Sequence, residues 1–177
     1  MSSLDVSEAH RVFLRTRLRE AFLMLGLALL VSGFGLLLAE ERKSALPYMA
    51  LLLGLTFAFA YRGRSAGRAV LPALILGVLP LGCALAAQSV GHACTPNGCV
   101  SLCVPLCTAG GLGAGVLLAR WAAAQKRPFV TWGAGAAVVA AAGAMGCACV
   151  GQAGILGMGG GLVATGALRA LMSRTSA

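Results

Sequence analysis

The feature that most constrains this chain is the distribution of its apolar residues, which form long blocks separated by short clusters of arginine. A helix that crosses the hydrocarbon of a bilayer needs about 20 predominantly apolar residues, with about 17 as a practical lower limit. Six stretches meet or approach that length: 21–39, 45–61, about 69–87, 99–119, about 129–150 and about 153–171. With 59% of residues hydrophobic and only 11% charged, a water-soluble core cannot absorb the excess, and the solvent for most of the chain is lipid. The sequence predicts an all-α fold: a polytopic membrane helix bundle of six transmembrane helices.

Local residue choices refine these spans. Pro47 suits the first turn of the second helix, whereas Pro72 lies near the start of the third and Pro80 inside it, where a kink is expected and neighbouring helices re-satisfy the freed carbonyl. Between the fifth and sixth stretches, Gly151 and Gln152 are almost the whole separator. Dense glycine at Gly143, Gly146, Gly151 and Gly154 favours a tight hairpin over one very long helix. The first stretch reads as a retained helix, because it exceeds the ~7–15 residues of a signal core and follows a segment containing Asp5, Glu8 and Glu20.

Orientation follows from the connections, since short cytoplasmic loops concentrate Lys and Arg. Arg11, Arg15, Arg17 and Arg19, then Arg62, Arg64 and Arg68, then Arg120, Lys126 and Arg127, and finally Arg169 and Arg174 fall on one side. The other side holds Arg42 and Lys43, beside Glu40 and Glu41. This assigns both the N- and C-termini to the cytoplasm of a cell inner membrane protein, with residues 1–20 a cytoplasmic N-terminal segment, 21–171 the six-helix transmembrane domain and 172–177 a cytoplasmic tail. The net charge of +9 is accounted for by these topology determinants, so no direct nucleic-acid partner is expected. The run from Gly157 to Gly161 follows no strand and lacks the lysine and hydroxyl residue of a phosphate loop. Small residues four apart, such as Gly111 and Gly115 or Gly157 and Gly161, mark close helix packing instead.

In the N-terminal segment, Asp5 and Glu8 resemble a capping pair at a helix start. Arg11, Arg15 and Arg19 then follow at four-residue steps, which sets a basic stripe on one helix face, with Val6 and Phe13 offering apolar contacts. Such a helix lies on anionic lipid or docks a cytosolic protein partner. Arg11, Phe13, Arg15 and Arg19 are the partner-binding candidates.

Cys83, Cys94, Cys99, Cys103, Cys107, Cys147 and Cys149 all lie away from the arginine-rich side. Cys94 and Cys99 flank the turn-forming Thr95, Pro96, Asn97 and Gly98. Cys99, Cys103 and Cys107 recur every four residues and are expected on one face of the fourth helix. Cys94, Cys99, Cys147 and Cys149 are the redox-sensing candidates, either as oxidisable thiols or as a disulfide between Cys94 and Cys99 or across to Cys147. His92, Cys94, Cys99 and Cys103 form a candidate set for a metal ion, with nitrogen and thiolate donors suited to soft or borderline ions. Cys83 and Cys107, inside apolar runs, read as small packing residues. No other cofactor is implied. Spans without a central acidic residue or lysine argue against a proton relay. The chain also lacks CxxC and any Ser, His and Asp group, so an enzyme is not expected.

Six short helices, a basic N-terminal segment and outer-face cysteines together resemble the six-span bacterial membrane-bound anti-sigma factors, negative regulators of extracytoplasmic-function sigma factors. The likeness is carried by Arg62, Gly63, Arg64, Ala66 and Arg68, by the Cys99 to Cys107 stretch, by Arg127 and Pro128 entering a Gly/Ala-rich fifth helix, and by the cysteine at that helix's outer end. It covers about residues 60–151. The resemblance implies that the N-terminal segment sequesters a sigma factor at the membrane and releases it on an envelope, redox, light or metal stimulus; regulators of carotenoid synthesis are one subtype. Two readings from other classes stand beside it: a small cysteine-containing metal transporter or metal-handling membrane protein, and a structural subunit of a membrane complex.

Overall fold

The computed structural model describes residues 3–38, 42–90, 92–95, 98–147 and 152–175. Six helices carry the fold: α1 (Ser3–Leu38), α2 (Arg42–Arg62), α3 (Arg64–Val90), α4 (Cys103–Ala123), α5 (Pro128–Cys147) and α6 (Gln152–Thr175). Each contains a segment long and apolar enough to span a bilayer. Between α3 and α4, β1 (His92–Thr95) and β2 (Gly98–Ser101) pair as an antiparallel hairpin.

The helices run alternately up and down. α4 and α5 meet through Leu118 and Gly135 towards one end and through Cys107 and Cys147 towards the other. Across α3 and α5, Gly77 faces Ala142 and Gly146 faces Ala84, the parallel relation expected of alternate helices. The start of α1 and the end of α6 therefore lie at one end, together with the α2–α3 and α4–α5 connections. This is the end that carries Arg15, Arg17, Arg19, Arg62, Arg68, Arg120, Lys126, Arg127 and Arg169, here called the basic end. The β-hairpin marks the other.

Small residues make up much of the core, beside fully buried Leu52, Leu74 and Leu118, while many large apolar side chains face outward. Ala28, Ala73, Ala84, Ala114 and Ala142 are fully buried, whereas Leu23, Leu30, Leu37, Leu156 and Val163 face outward. In lipid, large apolar side chains gain nothing by turning inward, and association rests on close backbone approach at small residues. α5, the Gly/Ala-rich helix, is the most enclosed of the six and is touched by α1, α2, α3, α4 and α6. α3 packs most extensively on α5, and α4 on α6. The second contact depends on the stripe read in the sequence: a Cβ on Gly111 would run into the Met158 carbonyl, and one on Gly115 into the Thr165 hydroxyl.

Several expectations change in detail. The fourth helix begins at Cys103 rather than at residue 99, because residues 98–101 pair with 92–95. The break between the fifth and sixth spans is real: α5 ends at Cys147 and α6 starts at Gln152, so the predicted connector residue Gln152 is already helical. Gly151 lies outside the described residues. α1 passes without interruption through Glu20 and Ala21, so the N-terminal segment and the first span are one rod.

Candidate functional site

The hairpin end gathers the cysteines. α4 enters the bundle at Cys103, and one turn further in, Cys107 is fully buried. α5 arrives from the opposite direction and delivers Cys147, its last residue, to the same place, also fully buried. The Cys147 thiol donates to Cys107 Sγ across 2.9 Å. Ala84, Ala144 and Met158 complete the apolar cluster around the pair, with Tyr48, Ala140 and Ile155 packed against it. A thiol pair at this separation, in apolar surroundings, is chemically a dithiol poised one short movement from a disulfide, whose bond length is about 2.05 Å.

The remaining cysteines divide by element. Cys103 is half-buried, as is Cys83, whose sulfur lies beside Gly110 on α4. In the hairpin register, Cys94 and Cys99 are Cα partners, directly opposite each other. The expectation that Cys99, Cys103 and Cys107 share one helix face is corrected, since Cys99 belongs to β2. The side chains of His92, Cys94 and Cys99 lie outside the described residues, as does the whole of Cys149. Of the proposed metal set only Cys103 is described in full, and among the described residues no three of His, Cys, Asp and Glu converge. Cys107 sits in the apolar packing expected of it and also meets Cys147 there. Its four-residue spacing from Cys103 was visible in the sequence, but the helix it faces was not.

At the basic end, Arg15 and Arg19 are exposed on α1, available to a partner or to lipid headgroups. Arg11 and Phe13 belong to the same helix, with side chains outside the described residues. Between these lies a contact the sequence did not announce. Arg17 Nη1 donates to the Arg62 carbonyl at 3.2 Å, tying the start of the first span to the end of α2. Gly63, the residue that follows, has φ +58° and donates its N–H to the Phe59 carbonyl at 3.1 Å, an αL termination that glycine adopts without penalty. A side chain there would collide with the Arg17 guanidinium. On the other side of this end, the Arg169 guanidinium lies 6.0 Å from the centre of the Phe129 ring, and the Trp132 indole covers Gly166.

The chain thus has chemistry at both ends of one bundle: thiols at the hairpin end, and an arginine-bearing helix latched to the α2–α3 turn at the other. No protein-family model, curated protein or solved structure matches it.

Proposed function

We propose that this protein is an integral membrane regulator of the anti-sigma type, in which the arginine-bearing start of α1 sequesters an extracytoplasmic-function sigma factor at the inner membrane. One observation carries the reading: the docking stripe is continuous with a transmembrane helix, and that helix is fastened by Arg17 to the turn leading into α3, the helix packed on α5. A change at the hairpin end, where α5 contributes Cys147, therefore has a mechanical route to the docking end. In a two-state scheme, an envelope, redox, light or metal stimulus shifts the bundle only by its differential affinity for the two arrangements, and the sigma factor leaves with the state that binds it less.

The test is made in the cell that encodes the chain. Deleting the gene should raise one coherent set of transcripts, and a photo-crosslinking residue in place of Arg15 or Arg19 should capture a sigma factor in intact cells. If transcripts are unchanged by deletion and the crosslinker retrieves only lipid, the docking reading fails and the arginines at the start of α1 serve only as headgroup contacts of the first span.

A further inference from the structure

We propose that Cys107 and Cys147 are a redox-active pair that closes to an interhelical disulfide, stapling α4 to α5 inside the apolar hairpin end of the bundle. Bond formation needs no assumption about the partner; its effect on regulation rests on the reading above.

Three observations converge on the pair. The sulfurs are 2.9 Å apart and already share a proton donor and acceptor. That is closer than the ~3.5–4.0 Å typical of non-bonded carbon contacts, and closure to a bond of about 2.05 Å requires roughly 0.9 Å of movement. Both residues stand where two helices are anchored: Cys107 one turn into α4, and Cys147 at the last position of α5, forty residues later. The pair's neighbours are Ala84 and Ala144, which are small, and Met158, an unbranched side chain that adapts to small shifts.

Burial selects the oxidant. Both cysteines are fully shielded within an apolar cluster, so bulky or charged disulfides are excluded and a small neutral peroxide is the fitting class. One sulfur reacts as the thiolate: its proton is given up, the sulfur attacks the peroxide, the O–O bond breaks, the departing hydroxide takes up that proton as water, and a sulfenic acid remains. The second thiol sulfur attacks that sulfur, the S–O bond breaks, and a second water carries away the second proton. Overall, two thiols lose two electrons and two protons, and one peroxide becomes two waters. The resolving thiol is at contact distance, so the sulfenic acid is trapped before further oxidation.

The test uses the full-length chain in membranes, with every cysteine except Cys107 and Cys147 changed to serine and a specific protease site placed in the α4–α5 connection at residues 124–127. After hydrogen peroxide treatment, thiol blocking and cleavage, the two fragments should migrate together on a non-reducing denaturing gel and separate with dithiothreitol. A second chain retaining only Cys103 and Cys147 should give separate fragments. Co-elution of the cleaved, unoxidised fragments in mild detergent confirms that both chains are folded. Fragments that separate despite peroxide in the Cys107 and Cys147 chain overturn the proposal, as does equal linkage in the Cys103 and Cys147 chain. In parallel, the transcript response to peroxide in cells carrying Cys107→Ser separates the two readings. A disulfide that forms without any transcript change leaves the bond standing and removes its regulatory role.

Discussion

At the scale of single residues, this bundle is sensitive where backbones touch and tolerant where side chains meet lipid. Gly111→Ala forces α4 away from the Met158 carbonyl and should destabilise by about 1–3 kcal/mol, the usual cost of overpacking. Gly54→Ala on α2 meets nothing within 4 Å and should be neutral or slightly stabilising. Reversible unfolding in mixed micelles measures both, and equal effects would mean that the α4–α6 contact is not as close as described. Thr56 is fully buried with no hydrogen-bond partner for its hydroxyl among the described residues, so Thr56→Val should leave stability unchanged or raise it, because no bond is lost and a desolvated polar group is removed. A loss above about 1 kcal/mol in the same assay would show that the hydroxyl has a partner. The four-residue glycine spacing made the first of these contacts legible in the sequence. The pairing of Cys107 was not legible. Spacing along α4 gives a face, whereas the identity of the facing residue depends on how α4 and α5 pack against each other.

At the scale of elements, α1 is unlike its neighbours. Its 36 residues correspond to about 54 Å at 1.5 Å per residue, against a hydrocarbon core of about 30 Å. The excess extends beyond the basic end, and the positions Arg15 and Arg19 lie on it or at the interface. Cysteines introduced there in a chain lacking its native ones should react with a membrane-impermeant maleimide, whereas Gly26→Cys, about two to three turns deeper, should resist. Protection at all three positions would mean that α1 does not project. Helix existence was readable because hydrophobic length alone decides it, and the α5–α6 break because glycine is so dense there. The hairpin escaped because four-residue cysteine spacing persists arithmetically across residue 102, although Thr95, Pro96, Asn97 and Gly98 already marked a turn whose flanks can pair.

For the whole molecule, the dominant sequence signal is the asymmetry of arginine, and the fold collects those residues at one end as that asymmetry required. By the positive-inside rule, we propose that the basic end faces the cytoplasm. A fluorescent protein fused after the last residue should therefore fluoresce, and alkaline phosphatase inserted at the hairpin should be active. The opposite pattern would invert the bundle and remove the sigma factor from reach of α1. No count of arginines, by contrast, could show that the fifth helix occupies the middle.

That central position has a consequence for how the protein is made. Chains emerge from the ribosome N-terminus first, at about 5–20 residues per second. α1 to α4 enter the bilayer while the helix that touches all of them is still unsynthesised. For several seconds, the small-residue faces of α2, α3 and α4 have lipid where α5 will lie. A nascent chain interrupted before residue 128 is an open ring of helices without its hub, and it should be recognised and degraded by membrane quality control, whereas one that loses only α6 should persist longer.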